Sequence, residues 1–122
     1  MIRAYANTQT LAANAVLTGP WIASTNFSIA SPLPMATGGG GFGGQVAIFG
    51  SVYSDHAGSL VLQQSDNTGS TNFTNVLSTT AVTAATLAEV SSVNVTAAFW
   101  RVVYTNGATA QTTFGLFINM IS

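Results

Sequence analysis

Apolar side chains alternate with small or polar ones through much of the chain. In Gln45 to Tyr53, Val46, Ile48, Gly50 and Val52 fall on one side of an extended backbone, and Ala47, Phe49, Ser51 and Tyr53 on the other. A period of two marks a strand with one buried face. Leu60 and Leu62 alternate with Val61 and Gln63 in the same way, and Trp100, Val102 and Tyr104 with Phe99, Arg101 and Val103. The turn residues Ser54 to Gly58 join the first two runs and predict a hairpin. Asn106-Gly107 separates Phe99–Tyr104 from the β-rich run Thr112–Met120. Because Asn and Gly tolerate the positive φ of a tight turn, Phe99 to Met120 predicts a further hairpin.

The remaining segments fit the same class. Asn72 to Leu77 begins another strand, Ser78 to Ala88 mixes Thr with Ala and predicts an irregular connection, and Ala88 to Val95 alternates again. Upstream, Gly19-Pro20 is a turn signal, with short strands on Trp21–Ala23 and Phe27–Ala30 and Trp21 as a core anchor. Ser31-Pro32-Leu33-Pro34 blocks helix and a central ladder alike. Thr37 to Gly44 is a glycine-rich loop; it lacks the Gly-Lys-Ser/Thr of a phosphate loop, and no helix-forming segment follows. Residues 1–14 form an N-terminal arm or edge strand. The expectation is an all-β chain: an antiparallel β-sandwich or jelly roll of about seven to eight strands, with residues 15–122 as a single domain.

Composition then narrows the function. Charged residues make up 4% of the 122, against roughly 25% in an ordinary domain. Such a surface is hydrated by hydroxyls and amides and has little charge repulsion, which favours association and burial in an assembly. Two basic residues and a net charge of −1 exclude the clustered cations that nucleic acid or anionic lipid requires. There is no cysteine, hence no disulfide and no thiolate metal site. The N-terminus has no signal-peptide pattern, and no apolar run approaches the roughly 20 residues of a membrane helix. A chain of this kind is expected to be made in the host cytoplasm.

Candidate chemistry is sparse. His56 stands alone beside Asp55, in a segment where Asp serves as a turn residue more readily than as a catalytic partner. Asp55, Asp66 and Glu89 are the only carboxylates; a glycosidase needs two of them converging on one bond, and Asp66-Asn67-Thr68-Gly69 lacks the spaced acids of a calcium loop. No enzyme, metal or cofactor is therefore expected. Trp21, Trp100, Tyr5, Tyr53 and Tyr104 form either a sugar-stacking platform or core filling, and Trp100 with Tyr104 favours the core. Arg101, mid-strand among large apolar residues, either pairs with Glu89 or Asp55, contacts a neighbouring subunit, or lies along the sheet surface with its head in solvent.

Three segments together carry a family resemblance. Leu60-Val61-Leu62-Gln63-Gln64-Ser65-Asp66 with Asn72-Phe73, and Phe99-Trp100-Arg101-Val102-Val103-Tyr104-Thr105-Asn106-Gly107 continuing through Phe114, resemble small β-sandwich structural proteins of tailed bacteriophages. The resemblance spans about residues 46 to 119. It departs from the pattern at Asn67-Thr68-Gly69, Phe73 and Gly115. It implies a non-enzymatic virion protein, foremost a capsid decoration (cement) protein on the capsid surface. The implied partners are the major capsid protein and further copies of itself, as a homotrimer. Contact elements on that reading are the arm, through Ile2, Tyr5 and Leu11, and the loop, through Phe42; Arg101 is a further candidate. The alternatives are a receptor- or carbohydrate-binding tail or fibre module and a subunit of an extracellular filament.

Overall fold

The computed structural model describes residues 2–24 and 46–121. Nine strands lie in these segments: β1 (Ile2–Asn7), β2 (Val16–Thr18), β3 (Ile22–Ala23), β4 (Val46–Ser54), β5 (Gly58–Ser65), β6 (Thr74–Val82), β7 (Ala88–Val95), β8 (Phe99–Asn106) and β9 (Phe114–Ile121). A 3-10 turn, Thr71–Phe73, leads into β6, with the Ser70 hydroxyl accepting from the Asn72 amide. The strands form two antiparallel sheets. One has four strands in the order β1-β9-β4-β7. The other has five: β2-β8-β5-β6, with β3 also pairing β8. The chain is an all-β sandwich, as its alternation predicts. No helix among the described residues is long and apolar enough to cross a membrane.

The inward faces are those the alternation picks out. Val46, Ile48 and Val52 of β4, with Leu116, Ile118 and Met120 of β9, face Leu60 and Leu62 of β5 and Trp100, Val102 and Tyr104 of β8. Trp100 and Tyr104 are fully buried, and the Tyr104 ring tilts against Phe114 with centroids 4.9 Å apart. In β7 the alternation breaks. Ile48 pairs with Val93 but Gly50 pairs with Val90, so a bulge at Ser91 and Ser92 resets the phase and sends both Val90 and Val95 inward.

Strand pairing departs from the expected hairpins. β8 and β9 lie in different sheets, as do β4 and β5. Among the described residues, β5 and β6 are the one pair of consecutive strands that hydrogen-bond to each other. Asn106-Gly107 is therefore an arch between layers. No described glycine takes positive φ; Asn14 (φ 59°) and Ala85 (φ 58°) do. Asn106 is buried, and its amide Nδ2 donates to the carbonyls of Ala12 (2.9 Å), Thr109 (3.0 Å) and Leu11 (3.4 Å). Gly107 is needed for close approach, since a Cβ there would sit 2.6 Å from the Ala57 carbonyl oxygen.

Two further expectations change. The irregular connection placed on Ser78 to Ala88 is in its first half strand, because β6 runs on to Val82 along β5. Trp21 is not a core anchor. Ile22 pairs with Trp100, which turns Trp21 to the outer side of the five-stranded sheet, half-buried. The strand expected at Phe27–Ala30, the Ser31–Pro34 break and the glycine-rich loop with Phe42 lie outside the described residues.

Gly50 marks the tightest backbone approach in the four-stranded sheet, where an added Cβ would collide with the Phe117 carbonyl of β9. Gly50→Ala is expected to destabilise the domain by about 1–3 kcal/mol, because the fault lies in backbone that cannot swing aside. A shift of the urea midpoint at unchanged slope is the check.

Candidate functional site

With the inner faces consumed by the core, the outer faces of the two sheets and the two ends of the sandwich remain for function. On the five-stranded sheet, Arg101 projects outward between the inward Trp100 and Val102. Its Nε donates to Gln63 Oε1 of β5 at 2.8 Å, and its guanidinium carbon lies 4.3 Å from the centre of the Trp21 ring. On the four-stranded sheet, Arg3 is held in the same way. Its register partner is Asn119 of β9; its Nε donates to Asn119 Oδ1 at 2.8 Å, and the guanidinium lies 4.9 Å from the centre of the Phe117 ring. Each contact of this kind contributes about 0.5–1 kcal/mol at an exposed site. Together with the Nε hydrogen bonds, these contacts restrain both arginines within the folded chain. Neither arginine has a carboxylate within ion-pairing distance among the described residues.

A groove of about 500 Å³ runs across the outer face of the four-stranded sheet, with Arg3, Phe49, Ser51, Glu89, Phe117 and Asn119 in its lining. Glu89 is exposed on β7. A smaller hollow of about 280 Å³ lies beside the exposed Phe73, against Gln64, Asp66 and Thr96.

The ends of the sandwich carry polar knots. At one end Asp55 accepts from the amides of Thr112 (3.1 Å) and Thr113 (3.1 Å) and from the Thr112 hydroxyl. These bonds, the Thr112 hydroxyl first, lower its pKa from 3.8 to about 2, with a smaller contribution from His56, 3.5 Å away. Gln111 joins the same knot. Its Oε1 accepts from the Leu11 amide at 2.8 Å, and its Nε2 donates to Ser54 Oγ at 3.1 Å. The Tyr104 hydroxyl is buried just beneath; burial pushes its pKa up, partly offset by Ser54 and Gln111 beside it. At the other end Gln64 Oε1 accepts from the amides of Thr96 (2.9 Å) and Ala97 (3.1 Å), and Asp66 Oδ1 from Ala98 (2.9 Å). The Gln64-Ser65-Asp66 motif thus splints the β7–β8 arch.

These placements decide what each candidate can do. Asp55 is a turn residue spent on the backbone, with the His56 imidazole 3.5 Å from its carboxylate, and Asp66 is spent on the arch. The three carboxylates sit on separate elements, and the described residues hold no group of three metal-ligating side chains. Trp100 and Tyr104 are core, so the five-aromatic platform does not assemble. Ile2 is exposed at the start of β1, opposite Met120. Tyr5 and Leu11 are half-buried and pack on the domain's own core. Phe42 lies outside the described residues. Arg101 pairs with neither Glu89 nor Asp55 but with Gln63 and Trp21. Sequence reasoning missed Arg3, Phe117 and Asn119 as a unit. Nothing local in the sequence signals it, because it exists only once β1 pairs with β9 across more than a hundred residues.

The fold is thus a two-sheet β-sandwich whose ends are splinted by side chains and whose outer faces each carry an aromatic-backed arginine. The chain belongs to the family of the uncharacterised protein YqxG N-terminal domain, whose profile matches residues 3–121. No curated protein matches it. The crystal structure of the PBSX exported protein XepA is similar in fold, with a TM-score of 0.72 and 20% sequence identity. The match covers 95% of this chain and 36% of that one, so this chain spans about a third of XepA's length.

The Asp55 knot has a pH signature. Its folded pKa lies below the unfolded value, so its contribution to stability is fully present above about pH 4 and is lost as pH falls toward 2. Asp55→Asn is expected to lower the melting temperature at pH 7 and to flatten its fall between pH 4 and 2. Thermal melts followed by tryptophan fluorescence across that range are the measurement.

Proposed function

We propose that this chain is a non-enzymatic, phage-related structural module that works by laying its outer sheet faces against other protein surfaces. In its most specific form it is a capsid decoration protein, bound to the major capsid protein at the virion surface and associated with further copies of itself. The observation that carries this reading is the pair of arginines, each pinned by an amide and backed by an aromatic ring, one on each outer face. Arginine and tryptophan are the residue types that dominate binding energy at protein interfaces, and immobilising them beforehand lowers the ordering cost of association. The near absence of charge elsewhere, the sequence resemblance to phage structural proteins, and a fold shared with the PBSX exported protein XepA support the same reading.

A second reading draws on the description of XepA as exported: the module serves outside the cell as part of a longer or secreted assembly. The two are separated by one experiment. Purified protein is mixed with undecorated capsids and sedimented, in parallel with Arg101→Ala and Trp21→Ala. The capsid reading expects the wild type to pellet with capsids and either variant to bind at least tenfold more weakly, the loss of roughly 1.4 kcal/mol or more typical of an anchor residue. Wild-type protein that stays in the supernatant at every capsid concentration overturns the capsid reading and leaves the exported one.

A further inference from the structure

We propose that the hollow beside Phe73, at the end of the sandwich, is a binding site for the ring of a neutral sugar. It makes no use of either outer sheet face, so it is independent of capsid binding. Phe73 is 58% exposed, the one aromatic among the strongly exposed large apolar side chains of the described residues, and it is no part of the core. Its backbone is nevertheless held on both sides. The Phe73 amide donates to the Ser70 carbonyl at 3.4 Å, and its carbonyl accepts from the Asp66 amide at 3.4 Å. The Asn72 amide and the Thr74 hydroxyl also donate to Ser70, each at 3.2 Å. The ring thus stands on a fixed turn at the mouth of a hollow of about 280 Å³. An aromatic side chain with a few fixed polar groups beside it is the usual make-up of a small-ligand site.

The polar groups are as firmly placed as the ring. Thr96 and Ala97 of the β7–β8 arch line the hollow, and Gln64 Oε1 holds the arch by accepting from both their amides. Asp66 ties the arch to the turn: its amide bonds the Phe73 carbonyl, and its Oδ1 accepts from the Ala98 amide at 2.9 Å. The other carboxylate oxygen, Oδ2, has no hydrogen-bond partner among the described residues, nor have the side-chain amides of Asn72 and Asn75, which also line the hollow. A carboxylate oxygen accepts only, whereas an amide both donates and accepts. Neighbouring hydroxyls of a sugar ring, each a donor and an acceptor, satisfy that set, while the C–H face of the ring lies on the aromatic. The volume stands at the small end of ligand cavities, roughly 300–1,000 Å³, and suits one ring better than an extended chain. No lining residue is basic, so a phosphate or a uronate would meet the Asp66 carboxylate with no cation to offset it. An apolar side chain of a partner protein would cover Phe73 but strip water from the oxygen and amides without replacing its bonds.

The test is a nitrogen–proton correlation NMR titration of the full chain with glucose, galactose, mannose and N-acetylglucosamine, each carried into the tens of millimolar, with glucuronate as the anionic counterpart. At least one neutral sugar is expected to shift the amide signals of Asn72, Phe73 and Ala97 saturably, with a Kd of about 1 mM. Glucuronate is expected to bind at least fivefold more weakly. Phe73→Ala is expected to weaken binding at least tenfold, and Phe73→Trp, which keeps a ring, to retain it within about threefold. Asp66→Asn keeps the oxygen that accepts from Ala98 and sets an N–H donor in place of Oδ2, so it alters the ligand contact and spares the splint; a loss of at least tenfold is expected. The same spectra show whether each variant is folded. No saturable shift at these signals with any of the neutral sugars, glucuronate bound as tightly as they are, or binding indifferent to Phe73→Ala would each overturn the proposal. So would capsid binding that is lost in Phe73→Ala with no response to sugar, which would give the hollow to a side chain of a partner protein.

Discussion

The side-chain amide of Asn106 donates to the carbonyls of Leu11, Ala12 and Thr109, and so ties the approach to β2 and the approach to β9 to the end of β8. Consecutive strands mostly change sheets, so among the described residues β5 and β6 alone form a hairpin ladder, and the other connections at the ends of the sandwich are arches. Arches expose backbone donors and acceptors at the rim of the core, where leaving one unpaired costs about 1–3 kcal/mol. A chain with abundant charge can solve this with water and ion pairs. This chain has five charged side chains and solves it with amides and short carboxylates aimed at main chain: Asn106, Gln111 and Asp55 at one end, Gln64 and Asp66 at the other. Once those positions are assigned to holding the arches, the polar motifs that stand out in the sequence are largely accounted for.

That assignment explains what could be read in advance. Alternation reports which side of a strand is buried, and it identified the inward faces of β4, β5, β8 and β9 because period two is a local property. It carries no information on which strand lies alongside. Asn106-Gly107 looks like a turn of positive φ because Asn and Gly occupy such turns. Here Asn is present for its buried donors and Gly for its close approach to Ala57, and both requirements come from segments some fifty to ninety residues away. Trp21 was mistaken for core for a related reason. Its neighbour Ile22, opposite Trp100, takes the inward place, and a size-based guess has no access to that register. The bulge at Ser91 and Ser92 likewise breaks the period where the sequence still looks regular.

The same limit governs the outer faces. Arg101 stood out because its neighbours are large and apolar, a local contrast. Arg3 did not, since Met1-Ile2-Arg3-Ala4-Tyr5 looks like any terminal arm until β1 is laid along β9. Only then do both basic residues show one construction, an Nε bonded to a cross-strand amide and a guanidinium over an aromatic ring. The construction uses arginine in a way lysine could not match. A planar fork can lie flat on a ring, donate sideways to an amide and still keep further N–H groups for a partner.

Low charge and pinned charge are two sides of one design. Where charges are many, any two surfaces find some favourable register, and electrostatics discriminates poorly among them. Where a face carries a single cation and a single anion at opposite edges, one register pairs both and other registers pair neither. Few charges therefore weaken non-specific repulsion between surfaces, and complementarity among those that remain acts more on register and partner choice than on raw affinity. The aromatic rings between the charges supply the apolar area, at roughly 25 cal/mol per Å² before ordering costs. A sandwich whose amides and carboxylates hold its own arches still carries, on outer faces of hydroxyls, amides and a few aromatic rings, charges placed sparsely enough to favour some registers over others.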